Sequence, residues 1–569
     1  MSFIRIRNLS AWASLLVCSA AVAAPPAVTP PRSVQVQLGQ PASFSVAAIG
    51  AAPFTYHWYH WDIHGNASAI DRCGTVATCS IAAVTMADAG EYNVEVYDVN
   101  GEHAHGDPRA SLSIIQGNEI TAASCSHADV QAAVNQIPAG GSGTVLIPEG
   151  TCDWVTALLV IDDKASIWIK GAGRDHTTLL RTAADDGDSV LSDNNPAAII
   201  TFDCLQGQQV ELSDIHLKGR SDNPDILTRG LELRGQCKNF KIHDAKFSKF
   251  SYAGVLVKGM HSKGVIYNND FADNWKNGLG YGVAVAGWNS NINLAYWPPL
   301  EFGSENAVFI EDNYFSGQRH NVASGQGSRY VFRHNEMVAW RTNSDRDPSR
   351  RETFQDGQVD AHGVLPTANV TWDQQTASGS RSWEIYDNLF TMANDTFIPL
   401  GGGPGESPVA SAGMRGGNGV FFCNRFDRAA HGGTLLFVEP RVSFEGNSQC
   451  HLFVDDYPAP FQVGFQGKSF FWDNTGDIMN GGNATRSTYM DDGTCNDLIK
   501  EDRDYFNMSP AEQGGEFANY TPYPYPHPLR DAVIFQDGFE QQGSSNPPLS
   551  CDAGRNGRPT RAAHEQPAS

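Results

Sequence analysis

The chain has 569 residues, more than one ordinary compact core accommodates, so several units or one long repeat array are expected. Its 56 glycines and 18% charged residues suit a turn-rich β protein rather than a helical one. A formal net charge of −23 argues against nucleic acid as a partner, because phosphate binding needs a basic surface; an anionic partner would need a local basic patch or a bridging metal.

Residues 1–24 read as a secretory signal. Arg5 and Arg7 supply the positive start, Leu9 to Ala21 is apolar but short for a span, and Ala21-Val22-Ala23 offers a small-x-small cleavage site near Ala23. No later stretch is long and apolar enough for a membrane helix. The mature chain is therefore expected to be secreted, periplasmic or at the cell surface, without a membrane span and as a monomer. Beyond Cys18, ten cysteines remain, an even number that fits an oxidising compartment. No clustered Cys/His spacing suggests zinc. Proximity alone pairs Cys73 with Cys79, Cys125 with Cys152, Cys204 with Cys237 and Cys423 with Cys450, leaving Cys495 and Cys551 over.

After a proline-rich leader, short alternating runs follow at sandwich spacing: Val34–Val36, Ala42–Val46, Phe54–Trp58, Ile81, Tyr92–Val96 and Leu112–Ile114. Asp88-Ala-Gly-Glu-Tyr92 resembles the tyrosine corner of immunoglobulin-like domains, with Trp58 as the buried tryptophan. The resemblance covers residues 31–115 and lacks the inter-sheet disulfide, since Val94 stands where the second cysteine would be. Two roles are open: a spacer, or a glycan-binding module in which Trp58, Tyr59 and Trp61 stack on sugar rings.

From Glu119 the texture changes. Ser126 to Ile137 has helical apolar spacing at Val130, Ala133, Val134 and Ile137, and leads into Thr144–Ile147 and Ile167–Ile169, as a solenoid cap would. A pattern of apolar alternation ending in Asn or Asp, then a large apolar residue, recurs at Asp214, Asp244, Asn269, Asn313, Asn335, Asn388 and Asn424, with looser copies at Asn447 and Asn474. Short steps, such as the 22 residues from Asn313 to Asn335, match one turn of a coil; longer ones add an inserted loop. Asn is expected to occupy a left-handed corner and to hydrogen-bond along a ladder.

ITAASCSHADVQAAV, VLIPEGTCDW with IWIKGAG, and the Asn ladder together resemble the secreted pectate-lyase-like right-handed parallel β-helix superfamily, over residues 118–525. The resemblance implies an all-β solenoid, an extended polymer bound along one sheet, and often Ca2+ with Arg or Lys as base. No lysine lies between Asn277 and Gly467, which puts the lysine variant in doubt; Asp185, Asp186 and Asp188 form an acidic run that could hold Ca2+.

Four polar pieces lie between successive corners. If they fill equivalent places, Tyr281, His320, His362 and Arg415 stack on one face. The chemistry then expected is β-elimination on a uronate polymer. Arg415 or Arg319 neutralises the carboxylate, His320 or His362 is the base, Asp360 orients His362, and Tyr281 is the acid. Arg341, Arg346, Arg350 and Arg351 are candidate substrate contacts, although Asp345, Asp347 and Glu352 can neutralise them, and Arg333 and His334 can simply face solvent. A glycoside hydrolase on the same fold and a non-catalytic glycan-binding or adhesion protein are the alternatives. The spacing of prolines in Tyr520 to Leu529 predicts an extended strap lying along the helix. Residues 526–569 read as a tail, with Gln541 to Ser569 disordered.

Overall fold

The computed structural model describes residues 25–37, 39–62, 67–115, 119–155, 157–182, 198–204, 208–220, 228–259, 262–275, 280–287, 301–325, 327–339, 358–361, 380–392, 409–414, 418–428, 436–440, 468–476, 502, 505–530 and 551. The first part is a small β sandwich. Its core holds Trp58, Phe44, Tyr92 and Val94, all at most 2% exposed. The Tyr92 hydroxyl donates to the Asp88 carbonyl at 2.7 Å, which closes the expected corner. Trp58 is core rather than a sugar platform: it sits opposite Val94, and its indole donates to the Val76 carbonyl at 3.0 Å. Trp61 is occupied too, with the Arg109 guanidinium 3.8 Å above its ring. Arg109 and Lys238 both pair with Glu91, which ties the sandwich to the strand Lys238–His243.

The helix His127–Gln136 starts where the spacing predicts, with the Ser126 side chain accepting from the Asp129 N–H, and it buries Val130, Ala133 and Val134. Beyond it the chain runs through three long parallel sheets, each taking every third strand: a first sheet of 12 strands, a second of 10 and a third of 9 among the described residues. This pattern is consistent with a parallel β-helix.

The corner between the first and second sheets explains the repeat. Its left-handed residues are Asp214, Asp244, Asn268, Asp312, His334, Asp387, Cys423 and Asp473, with φ between 51° and 57°. The expectation was one residue late, because from the third of these corners on the ladder Asn follows the left-handed residue. Its own backbone is ordinary, and its side chain is buried. Each Nδ2 donates to the next Oδ1: Asn269 to Asn313 at 3.0 Å, Asn313 to Asn335 and Asn335 to Asn388 at 3.1 Å, Asn388 to Asn424 at 2.9 Å, and Asn424 to Asn474 at 3.1 Å. The other Nδ2 proton goes to a main-chain carbonyl such as Ile310. Ile215 and Ala245 hold the corresponding places earlier, so the ladder starts at Asn269, whose Oδ1 accepts the Ala245 N–H. Asn447 is not a rung: Val420 pairs directly with Phe470, and the ladder steps from Asn424 to Asn474.

Two residues past the ladder, Phe271, Phe315, Met337, Phe390 and Phe426 point inward as a buried column, with Phe271 and Phe315 stacked at 4.7 Å. A second corner, unseen in the sequence, uses Lys249, Asp273 and Gly317 at positive φ and a short ladder in which the Asn274 N–H donates to Gln318 Oε1.

The strap exists and lies on the outer face of the first sheet. Arg333, fully buried, donates to Glu311 at 2.8 Å and to the strap carbonyls of Tyr523 and Pro524 at 2.6 and 2.8 Å. The Tyr520 hydroxyl donates to Glu384 at 2.6 Å, and the His527 N–H donates to Glu311 at 2.9 Å. Arg333 and His334 therefore do not face solvent; the strap covers them, with Tyr525 stacked on His334 at 3.5 Å. These contacts continue to Arg530, which pairs with Glu311 at 3.0 Å.

Three expected disulfides are present, Cys73–Cys79, Cys125–Cys152 and Cys204–Cys237. The fourth joins Cys423 to Cys551 across 128 residues, not to Cys450. Sequence proximity fails there because Cys551 lies beside the corner that carries Cys423, so at least this point of the expected disordered tail is fixed. Four disulfides are consistent with an oxidising, extracellular setting. Among the described residues no helix is long and apolar enough to cross a membrane.

Candidate functional site

With the first sheet covered by the strap, the outward face of the third sheet is the place to look for chemistry. In its strands Leu231, Leu233, Val255, Val257, Val283, Val285 and Val322 belong to the core. The residue before them also faces inward: a Cβ on Gly230, Gly254 or Gly282 would strike Phe250, Phe247 or Phe315. Consecutive inward positions turn the preceding residue outward. That gives one outward row of Arg229, Ala253, Tyr281 and His320. A second row follows strand alternation, with Glu232, Leu256, Ala284 and Ala323 in register. A third holds Asp203, Arg234, Lys258, Ala286 and Gly325. Ala253, Leu256, Tyr281, Ala284 and Ala323 form their own buried cluster, separate from the main core.

A continuous line of polar and aromatic groups crosses this face. Glu232 pairs with Arg229 at 2.9 Å and with Arg234 at 3.3 Å. The Arg229 guanidinium lies 5.0 Å from the Tyr252 ring. Tyr252 meets Tyr281 edge-on at 5.6 Å, and Tyr281 lies 5.5 Å from the His320 ring. Burial holds the Tyr252 hydroxyl above its ordinary pKa, with Arg229 opposing and Glu232 adding to the effect. The Asp203 carboxyl is likewise raised, by burial against the pull of Arg234. From Asp203 to Gly325 the outward face carries Arg229, Arg234, Lys258 and the neighbouring Arg319 against Asp203 and Glu232, a local positive excess in an acidic chain.

Tyr281 and His320 are register partners one coil apart, as their alignment required. The described strands that follow carry the register only as far as Ala361 and Met414. A register shift between His320 and Val322 sets Gln358 opposite His320, and Asp360 opposite Ala323 and Gly413. His362 and Arg415 lie outside the described residues, as do Arg341, Arg346, Arg350 and Arg351; of Asp360 the backbone alone is described. Arg319 is half-buried, its N–H donating to the Gly280 carbonyl at 3.0 Å. Sequence reading missed Arg229, Glu232, Tyr252 and Lys258. The signal for Arg229 and Glu232 was an irregular charged strand, RGLELRG, in a coil that lacks the Asn rung; Tyr252 precedes and Lys258 ends the next strand, Ala253–Lys258. Lys258 also restores a lysine to this face.

Among the described residues of this face the donors do not suit Ca2+. Glu232 and Asp203 are the described carboxylates here, and both are engaged by arginine, whereas calcium takes about 6–8 oxygen ligands. Asp185, Asp186 and Asp188 lie outside the described residues.

A family model of the immunoglobulin I-set domain matches residues 25–106. The N-terminal domain is immunoglobulin-like. Among solved structures, an I-band fragment from titin is similar to this chain at 22% identity and a TM-score of 0.14, over 18% of this chain and 40% of that chain. The chain thus spans less than half the length of that fragment. No curated protein matches.

Proposed function

We propose that the chain is an exported polysaccharide-active protein built on a right-handed, pectate-lyase-like β-helix, and that it cleaves a uronate-containing polymer by β-elimination along the outward face of the third sheet. The observation that carries this reading is the pairing of Tyr281 with His320 in adjacent coils, 5.5 Å ring to ring, next to Arg319. Arg319, with Arg415, stabilises the charge that builds on the uronate carboxylate. His320 or His362 takes the C5 proton, the C4–oxygen bond breaks as the C4–C5 double bond forms, and Tyr281 protonates the leaving oxygen. The local excess of Arg and Lys over carboxylates favours an anionic polymer over a neutral one. No step is routed through a metal ion.

Two readings compete on specific observations. His320 and Tyr281 are only 1% and 8% exposed, which favours a glycan-binding protein that does not turn over. Asp360 and Glu439 share a register position two strands apart, which keeps a hydrolase with two carboxylates in play. Incubation with pectate, alginate, glycosaminoglycans and neutral glycans, with and without Ca2+, separates the three. Rising ultraviolet absorbance from unsaturated uronide supports the lyase. New reducing ends without absorbance replace it with the hydrolase, and binding without either product leaves a binder.

A further inference from the structure

The immunoglobulin-like domain carries a cluster that the glycan reading does not use. Strands Gly90–Tyr97 and His103–His105 form an antiparallel hairpin that sets Glu95 opposite His105 and Tyr97 opposite His103. Residues directly opposite and two apart share a face, so Glu95, His103 and His105 project together. His103 Nε2 lies 3.5 Å from Glu95 Oε1, and one ligand atom from each of the three residues lies within 4.8 Å of the others.

We propose that Glu95, His103 and His105 form a binding site for a divalent transition-metal ion of the zinc class. Two imidazoles and a carboxylate are the borderline-soft donor set that Zn2+ takes, with a fourth position open to water or to another group. An ion held about 2.1 Å from each ligand needs ligand atoms about 3.4 Å apart. Exposed His103 and His105 reach that by side-chain rotation, while the half-buried Glu95 is the fixed ligand. Its other oxygen accepts from the Tyr59 hydroxyl at 3.4 Å, the outer contact that orients a metal-binding carboxylate. Tyr97 stacks on His103 at 5.1 Å and limits its ring.

The hairpin is rigid where it must be. Asp98 Oδ1 accepts the Asn100 and Glu102 N–H groups at 2.8 and 3.0 Å, and Gly101 takes the positive φ of 82°. His57 sits opposite Glu95 on the neighbouring strand and faces the same side, so the open position has an imidazole beside it.

The test uses the full chain, stripped with chelator and titrated with Co2+ as the spectroscopic probe, then with Zn2+. The expected result is one equivalent of Co2+ with visible d–d absorbance, displaced by Zn2+. The His103→Gln/His105→Gln double variant, with unchanged circular dichroism, loses that equivalent. Losing even an outer partner costs about 10–100-fold in affinity, so losing two ligands weakens binding at least about 100-fold. No Co2+ spectrum in the wild type, or the same stoichiometry and affinity in the double variant, overturns the proposal.

Discussion

Arg333→Ala is the perturbation that best probes how the strap is held. The guanidinium makes two contacts to Glu311, at 2.7 and 2.8 Å, one to the Tyr386 hydroxyl at 2.9 Å, and two to the strap carbonyls. Glu311 is itself fully buried. Breaking a buried pair from one side costs about 3–5 kcal/mol, because the remaining charge is left uncompensated. Each strap carbonyl that loses its donor while buried adds about 1–3 kcal/mol. Arg530 and the His527 N–H still serve Glu311, and the strap can lift and rehydrate, so the loss is expected as local opening of about 3–4 kcal/mol. Hydrogen exchange in peptides covering residues 519–530 reads this directly: at about 1.4 kcal/mol per factor of ten, protection falls about 100- to 1,000-fold. The double variant Glu311→Gln/Arg333→Met removes both charges and is expected to lose less protection than Arg333→Ala alone. A fall below about tenfold in Arg333→Ala, about 1.4 kcal/mol, would refute the claim that this arginine clamps the strap.

Asn335→Ala removes four buried hydrogen bonds, to Asn313 twice, to Ile310 and to Asn388, and is expected to cost about 3–5 kcal/mol in denaturant titration, whereas Asn269→Ala costs less, since alanine already stands below it at Ala245. Gly282→Ala drives a Cβ to 2.7 Å from Phe315 and is expected to destabilise by about 1–3 kcal/mol by the same assay. Burial first, then Arg333 and Arg530, holds His334 down at about 3 against an ordinary 6.5. Its contribution is therefore complete above pH 6.5 and lost as pH falls toward 3, by up to about 1.4 kcal/mol per pH unit; in a pH series of melts, His334→Gln flattens that acid limb. His243 has the opposite sign: burial lowers it, but Asp244 and Glu211 overcome this and raise it, so its contribution is full below the ordinary histidine value and lost as pH rises through the raised one. Mass spectrometry of unreduced peptides is expected to find Cys423 linked to Cys551 and not to Cys450.

The ladder was legible because one requirement, a left-handed corner followed by an inward amide, recurs from Asn269 on and writes itself as Asp or Asn before Asn at four of six corners, with His334 and Cys423 in that place at the other two. Its phase was not, since Asp and Asn tolerate both places. The strap was legible from its prolines, but its partners were not: Glu311 and Arg333 look like solvent-facing alternation in any single strand, and only a distant segment buries them. Tyr281 and His320 could be aligned because each opens a similar short run of small and apolar residues, Tyr281–Ala286 and His320–Gly325. Asp360 could not, because the strand Gln358–Ala361 begins two residues before it, after a long insertion that hides its start. Arg229, Tyr252 and Glu232 were overlooked because the two coils that carry them, after Asp214 and Asp244, have no Asn rung to align them.

The most direct test of the central claim is turnover of the preferred acidic glycan by wild type, Tyr281→Phe and His320→Gln, followed by ultraviolet absorbance alongside binding by calorimetry. The account predicts an unsaturated product from wild type, and at least about a 100-fold loss of kcat in each variant with affinity and fold retained. Unchanged kcat in both variants, or no absorbance from wild type on any uronate polymer, would contradict it.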